Sequence, residues 1–305
     1  MSDPNRRLTK CGSTALHLAV KSCSVEIVRK LLEKGADVNT PVHRCAPVFH
    51  VAVMCDRLDL INLLVQHGAD PRQPSAEGLT VLHRVESGKM VRKLITYGLD
   101  INEAAPPEGD TPLRNSILSY CDDDVIKAFL ECGADYKIDN NWGFTAFDFM
   151  AARLISGSDF EEIIRMGSIL LDHVTSNVPE DVNDPETKKI RRFGEELRQL
   201  KSEKIGNTSI TYWKLINTRP RKAASFFDNE ESLVKPDIKK FSFFGRLIES
   251  RIREGLDYND MENYARGFIK EITSNRLPWN CINKIITFLH ADDLKSLRRF
   301  LSLEK

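Results

Sequence analysis

A sequence pattern recurs at a spacing close to 33 residues through the first half of this chain. His17, His50 and His83 follow one another at intervals of 33 positions, and Gly35 and Gly68 are separated by the same interval. One unit of this length cannot bury its apolar face alone, so such units gain stability by stacking on their neighbours. The spacing therefore predicts a stacked repeat architecture.

Five units can be distinguished along the sequence. They begin at Gly12, Pro47, Gly78, Gly109 and Gly143. The first four close at a glycine, where a helix ends and a left-handed backbone conformation is favoured. These glycines are Gly35, Gly68, Gly98 and Gly133.

The third unit is shorter than the others. Gly98 follows Gly68 by 30 positions, so about three residues are missing relative to the usual interval. We predict that the deletion falls near Ser87-Gly88, in the turn between two helices, where it would leave the core filled.

The segments Thr14-Ala15-Leu16-His17 and Thr111-Pro112-Leu113 suit the start of a helix. Threonine caps the first amides, and proline at the first helical position loses no hydrogen bond. Together with the period, they resemble the ankyrin repeat. The resemblance implies an all-α solenoid of about five helix pairs over residues 1–175, with a concave surface that binds proteins.

The three aligned histidines are predicted to link adjacent repeats and not to catalyse a reaction. A catalytic base needs a unique environment, whereas these residues occupy one equivalent position in successive repeats. The sequence shows no phosphate-binding glycine loop and no paired-carboxylate site. Its seven cysteines are an odd number without a C-x-x-C pair, which suits reduced thiols. We therefore expect no enzymatic activity, no cofactor and no bound metal.

Charge and hydropathy indicate where such a chain would act. The formal net charge is zero, and no stretch approaches the roughly 18 apolar residues of a membrane span. The first residues lack the apolar run of a signal peptide. We expect a cytoplasmic protein, with the nucleus as an alternative, that is a monomer and binds neither nucleic acid nor membranes.

The repeat pattern fades after residue 175. Residues 176–240 are predicted to form a helical and loop connector that contains an apolar stripe at helical spacing: Ile190, Phe193, Leu197 and Leu200. Residues 241–305 are predicted to form a helical domain. Its first stripe consists of Phe244, Leu247, Ile248 and Ile252.

The C-terminal residues show a second pattern, in which a Leu-Pro pair precedes an apolar helix, an acidic turn and a Leu-rich helix. The positions are Leu277, Pro278, Ile282, Ile285, Ile286, Leu289, Leu294 and Leu297. This pattern resembles the beginning of an F-box, although only about 29 residues are available for it. The other interpretation is that residues 282–289 form a core helix of the C-terminal domain.

Ankyrin repeats followed by a shortened F-box resemble the PRANC family of poxvirus type. The resemblance implies a host cytosolic adaptor: the repeats bind a target protein, and the C-terminal residues of this pattern dock the Skp-type adaptor of a cullin ubiquitin ligase. The alternative is an ankyrin inhibitor that sequesters a signalling protein without a ligase.

Contacts with the target are expected on hairpin tips and first helices of the repeats. The candidates are His43, Arg44, Gln73, Glu77, Pro107, Glu108, Asn141 and Trp142. Trp142 is the favoured anchor, unless it packs on the fifth repeat. The first repeat follows the consensus closely, so an apolar strip is also expected at that end of the solenoid, covered by residues 1–10, covered by a partner, or left bare by truncation.

Overall fold

The structure is a computed structural model that describes residues 3–10, 12–40, 46–156, 160–205, 210–218 and 238–257 save 256. In these ranges the chain forms helices and turns, with isolated β-bridges but no β-strand. The predicted all-α fold class is therefore confirmed. The helices are α1 Ala15–Ser22, α2 Val25–Glu33, α3 Val48–Met54, α4 Leu58–Gln66, α5 Gly88–Ile95, α6 Pro112–Leu118, α7 Asp123–Glu131, α8 Ala146–Ser156, α9 Phe160–Asn177, α10 Pro185–Ser202, α11 Tyr212–Ile216 and α12 over 245–255.

Helix pairs stack in chain order through the first half of the molecule. The outer helices pack on one another, α2 with α4, α5 with α7 and α7 with α9. Apolar residues at three- and four-residue spacing fill these contacts. In α4, for example, Leu60, Ile61 and Leu64 are fully buried. The stack follows the periodicity of the sequence.

The third repeat differs from the prediction made for it. Its first helix is reduced to a single 3-10 turn, Val81–Arg84, and Val85 then adopts an extended conformation. The deletion has therefore removed the second turn of this helix. The prediction that it shortens the connection near Ser87-Gly88 is wrong, because Gly88 already forms the first turn of α5 and packs tightly on Asp124.

Loop tips between successive repeats are held by one recurring arrangement. The Asp37 carboxylate accepts a hydrogen bond from the amide of Asn39, 2.9 Å away, and the Asn39 side chain donates to the Gly68 carbonyl at 2.7 Å. At the N-terminal end, Asn5 contacts both Gly35 and Asp37 in the same way. Residues 3–10 therefore supply an additional loop tip to the first repeat.

The start of α10 packs against the fifth repeat. The Thr145 hydroxyl donates to Glu186 at 2.5 Å, and the Lys189 ammonium lies 2.6 Å from Asp148. The Tyr136 hydroxyl contacts Thr187 at 2.8 Å. These polar contacts attach the start of α10 to the last repeat of the stack.

Two compact units are distinguished in the chain. The first comprises Met1–Arg153 with Asp159–Arg191, and the second comprises Leu154–Ser158 with Arg192–Lys305. The first unit includes the start of α10, beyond the residue 175 at which the repeat pattern fades. The sequence-based domains 1–175, 176–240 and 241–305 stay a prediction.

The described part of the second unit has its own apolar core. Phe193 and Phe244 stack with ring centroids 5.5 Å apart, and the Glu196 carboxylate accepts hydrogen bonds from the Ser242 and Phe243 amides at 2.9 Å. Most residues of the two predicted stripes in this unit are buried. They are Phe193, Leu197, Leu200, Phe244, Leu247 and Ile248.

Candidate functional site

The aligned histidines connect neighbouring repeats. His83 Nε2 donates to the carbonyl of Asp110 at 2.9 Å, and its Nδ1 lies 2.8 Å from the Thr80 hydroxyl. His50 Nε2 donates to the carbonyl of Gln73 at 2.7 Å. The predicted linking role of these two side chains is confirmed.

His17 keeps only half of this arrangement. Its Nδ1 lies 2.9 Å from the Thr14 hydroxyl, but its Nε2 makes no hydrogen bond with any described residue. The backbone of Ala46 nevertheless lies close enough to oppose part of its pKa shift. Desolvation by burial lowers the pKa of His17, His50 and His83 alike. Neutral, buried imidazoles of this kind have a structural role.

The equivalent position in the fourth repeat is occupied by Arg114. Its guanidinium is buried and donates to the Asp110 carboxylate at 2.5 Å and to the carbonyls of Phe144 and Thr145 at 3.1 and 2.6 Å. Asn140 donates to the same carboxylate at 3.1 Å. The position thus keeps its link to the next repeat while its chemistry changes from imidazole to guanidinium.

The described residues contain no cluster of histidine, cysteine and carboxylate side chains that could hold a metal ion. The described thiols are partly buried, and desolvation raises the pKa of Cys121 and Cys132, so these thiols are poor nucleophiles.

An aromatic tip is exposed at the start of the fifth repeat. Trp142 is 67% exposed and Phe144 50% exposed. Asn141 holds the loop in place, because its side chain donates to the Pro107 carbonyl at 2.7 Å and its amide donates to the Glu108 carbonyl at 2.9 Å. Four of the predicted target-binding residues, Pro107, Glu108, Asn141 and Trp142, therefore come together on adjacent loop tips.

The remaining predicted residues are separate from this tip. Gln73 is half-buried and its carbonyl is used by His50, while the exposed Glu77 pairs with Arg84 at 2.7 Å. His43 and Arg44 lie outside the described residues. So do all the predicted ligase-binding residues, Leu277, Pro278, Ile282, Ile285, Ile286, Leu289, Leu294 and Leu297.

A notch that the sequence did not predict interrupts the row of first helices at the third repeat. It is a cavity of about 280 Å³ whose lining includes Met54 from α3, Val85 and Glu86 after the 3-10 turn, and Ser119 and Cys121 after α6. The signal that could have revealed it is the 30-residue interval of the third repeat. That interval shows how many residues are missing but not which element loses them.

The N-terminal end of the stack presents apolar residues to solvent. Ile27 is 47% exposed and Leu31 is half-buried, whereas the residues 33 positions later, Leu60 and Leu64, are fully buried. Residues 3–10 cover the loop side of this end through Asn5 but leave Ile27 uncovered. The predicted apolar strip is confirmed.

Comparison with known families agrees with this architecture. Residues 1–75 and 49–140 match the family model for ankyrin repeats, in three copies. No PRANC or F-box-like family model matches the chain, and no curated protein sequence matches it. Among the described helices, none combines the length and the apolar composition that crossing a membrane would need. Residues 1–140 therefore contain ankyrin repeats, a fold whose general role is protein binding.

Proposed function

We propose that this protein is a binding adaptor. Its ankyrin repeats hold a target protein, and its C-terminal residues dock the Skp-type subunit of a cullin ubiquitin ligase, which then modifies the target. The chain would contribute proximity, since joining two binding surfaces raises the effective concentration of one partner near the other.

The exposed aromatic tip carries the target-binding part of the proposal. Tryptophan is enriched among the residues that dominate protein interfaces, and Trp142 is mostly exposed beside Phe144. The hydrogen bonds of Asn141 to the neighbouring loop hold the tip in a defined conformation. A pre-organised loop loses little conformational entropy when a partner binds.

The ligase-docking part rests on the sequence pattern from Leu277 to Leu297. An amphipathic helix with apolar residues at three- and four-residue steps is a common means of docking into an apolar groove. The alternative function, sequestration of a signalling protein without a ligase, needs only the ankyrin repeats and the aromatic tip.

Association with a purified Skp-type subunit separates these two functions. We expect the full chain to bind this subunit and the double variant Leu277→Ala with Pro278→Ala to lose that binding. Trp142→Ala serves as the matched control and should bind the subunit normally. If the full chain does not bind, or if the double variant binds equally well, the sequestration function replaces the adaptor function.

Target binding is tested with the roles of the two variants exchanged: Trp142→Ala is the test, and the double variant Leu277→Ala with Pro278→Ala is the control. Proteins captured by the full chain are identified, produced in pure form and titrated against wild type and Trp142→Ala. Loss of an interface tryptophan typically costs 2 kcal/mol or more, so we expect binding to weaken by roughly 30-fold or more. Unchanged affinity for every captured protein would remove Trp142 from the binding surface.

A further inference from the structure

We propose that the notch at the third repeat is an anchor pocket. It would accept one bulky apolar side chain from a partner segment that carries lysine or arginine next to that side chain. The inference rests on the proposed protein-binding function and specifies the chemistry of the bound segment.

The notch arises from the shortened first helix of the third repeat. In the flanking repeats, α3 continues to Met54 and α6 to Leu118, but the 3-10 turn between them ends at Arg84. Val85 remains buried, so the core stays closed beneath the missing turn. The deletion consequently leaves a gap in the first-helix row without opening the interior.

The lining suits a bulky apolar side chain. Met54 is 40% exposed at one side, and Leu82 and Val85 form apolar floor positions. Methionine is flexible and adapts to ligands of different shape. A cavity of about 280 Å³ is large enough for one leucine, isoleucine, methionine or phenylalanine side chain.

The charges around the notch are mainly negative. Glu86 is exposed at its rim and has no ion pair with a described residue. Asp122 follows the lining residue Cys121, and both carboxylates contribute to the raised pKa of the Cys121 thiol. Asp56, close in sequence to the lining residue Met54, accepts a hydrogen bond from the Ser87 hydroxyl at 2.5 Å.

Two arginines at the notch are already paired. Arg84 lines the notch but lies 2.7 Å from Glu77. Arg165, whose guanidinium reaches the Cys121 carbonyl, pairs with Asp123 and Glu162. Among the described residues that line the notch, the uncompensated charge is that of Glu86, which favours a basic segment and disfavours an acidic one.

Selection from a displayed library of random 12-residue peptides tests the proposal. The full chain is the bait, and peptides retained by wild type are sorted by whether they bind the variant Ser119→Phe. Ser119 is exposed and follows α6, so phenylalanine there would fill the notch. The matched control is Ser22→Phe, the same change at the last residue of α1 and away from the notch. Circular dichroism and unfolding midpoints establish that both variants fold.

We expect the wild-type-specific peptides to contain Leu, Ile, Met or Phe next to Lys or Arg. Synthetic copies should bind Ser119→Phe at least ~10-fold more weakly and Ser22→Phe normally. Glu86→Lys should weaken the preference for basic neighbours, since it places a positive charge at the rim while Asp56 and Asp122 remain. A purely structural role of Glu86 would not change which neighbours are selected.

Other outcomes overturn the anchor pocket. If wild type and Ser119→Phe select the same peptides, or if no peptide distinguishes them, the notch binds no such segment. Dimerisation of wild type that Ser119→Phe abolishes would assign the notch to a second copy of the chain. Peptides lost on Trp142→Ala but retained by Ser119→Phe would refute the pocket while supporting the proposed protein-binding function.

Discussion

At the scale of the residue, one equivalent position of the repeat carries three different side-chain groups. Imidazoles occupy it in the first three repeats, the Arg114 guanidinium in the fourth and the Asp148 carboxylate in the fifth. Arg114 bonds two carbonyls of the next repeat, and Asp148 accepts from Thr145 and Lys189. His50, His83 and Arg114 each link to the next repeat and Asp148 links to α10, although the group that makes the link changes.

Arg114→Leu should destabilise the repeats by about 3 kcal/mol. The substitution leaves the Asp110 carboxylate, whose side chain is 17% exposed, without its buried cation, and it deprives two carbonyls of a donor. Urea unfolding of the full chain followed by circular dichroism measures the change. Arg84→Leu is the control: its pair with Glu77 is exposed, so the loss should stay below about 1 kcal/mol. Equal losses of stability in the two variants would show that the burial of Arg114 does not determine its contribution.

At the scale of the element, α5 and α7 approach closely because α5 begins with a glycine. The Gly88 amide donates to the Asp124 carboxylate at 2.9 Å, and a Cβ atom at this position would lie 2.4 Å from the Asp124 carbonyl oxygen. Backbone atoms cannot move aside as a flexible side chain can. The third repeat thus tolerates a shortened first helix while its outer helix remains fixed against the fourth repeat.

Gly88→Ala is expected to lower stability by roughly 2 kcal/mol, since overpacking outweighs the higher helix propensity of alanine. The midpoint of chemical unfolding measures this effect. Lys89→Ala provides the comparison, because Lys89 is the next residue in α5 and is exposed. Its change should stay within about 0.5 kcal/mol. A Gly88→Ala protein as stable as wild type would show that α5 and α7 can separate at no cost.

At the scale of the whole molecule, the buried histidines couple stability to pH. Burial lowers the pKa of His17, His50 and His83 below the usual 6.5. In the unfolded chain these imidazoles bind protons at a higher pH than in the folded chain. Stability is therefore retained above pH 6.5 and decreases as the pH falls from 6.5 through the lowered folded-state pKa values.

Unfolding measured at intervals between pH 8 and 5 should show this decrease, by up to about 1.4 kcal/mol per pH unit for each of these histidines. His83→Gln should reduce the slope, because one of the imidazoles whose pKa is lowered by burial no longer titrates. His67→Gln, at an exposed position, should leave it unchanged. A slope that His83→Gln does not alter would mean that other groups cause the pH dependence.

The sequence determined the all-α repeat fold, the linking role of His50 and His83 and the apolar strip near Ile27. These properties follow from the spacing of residue types along the chain, because each ankyrin repeat contacts only its neighbours. Sequence reasoning also selected Trp142, although only the structure shows how far the indole is exposed.

Tertiary structure alone decided which element the three-residue deletion shortens and what the deletion leaves behind. The 30-residue interval fits a shorter turn and a shorter helix equally well. The close contact of Gly88 with Asp124 fixes the start of α5, so the loss falls on the first helix and opens the notch between Met54 and Ser119. That outcome depends on atoms of the fourth repeat, more than 30 residues away in the sequence.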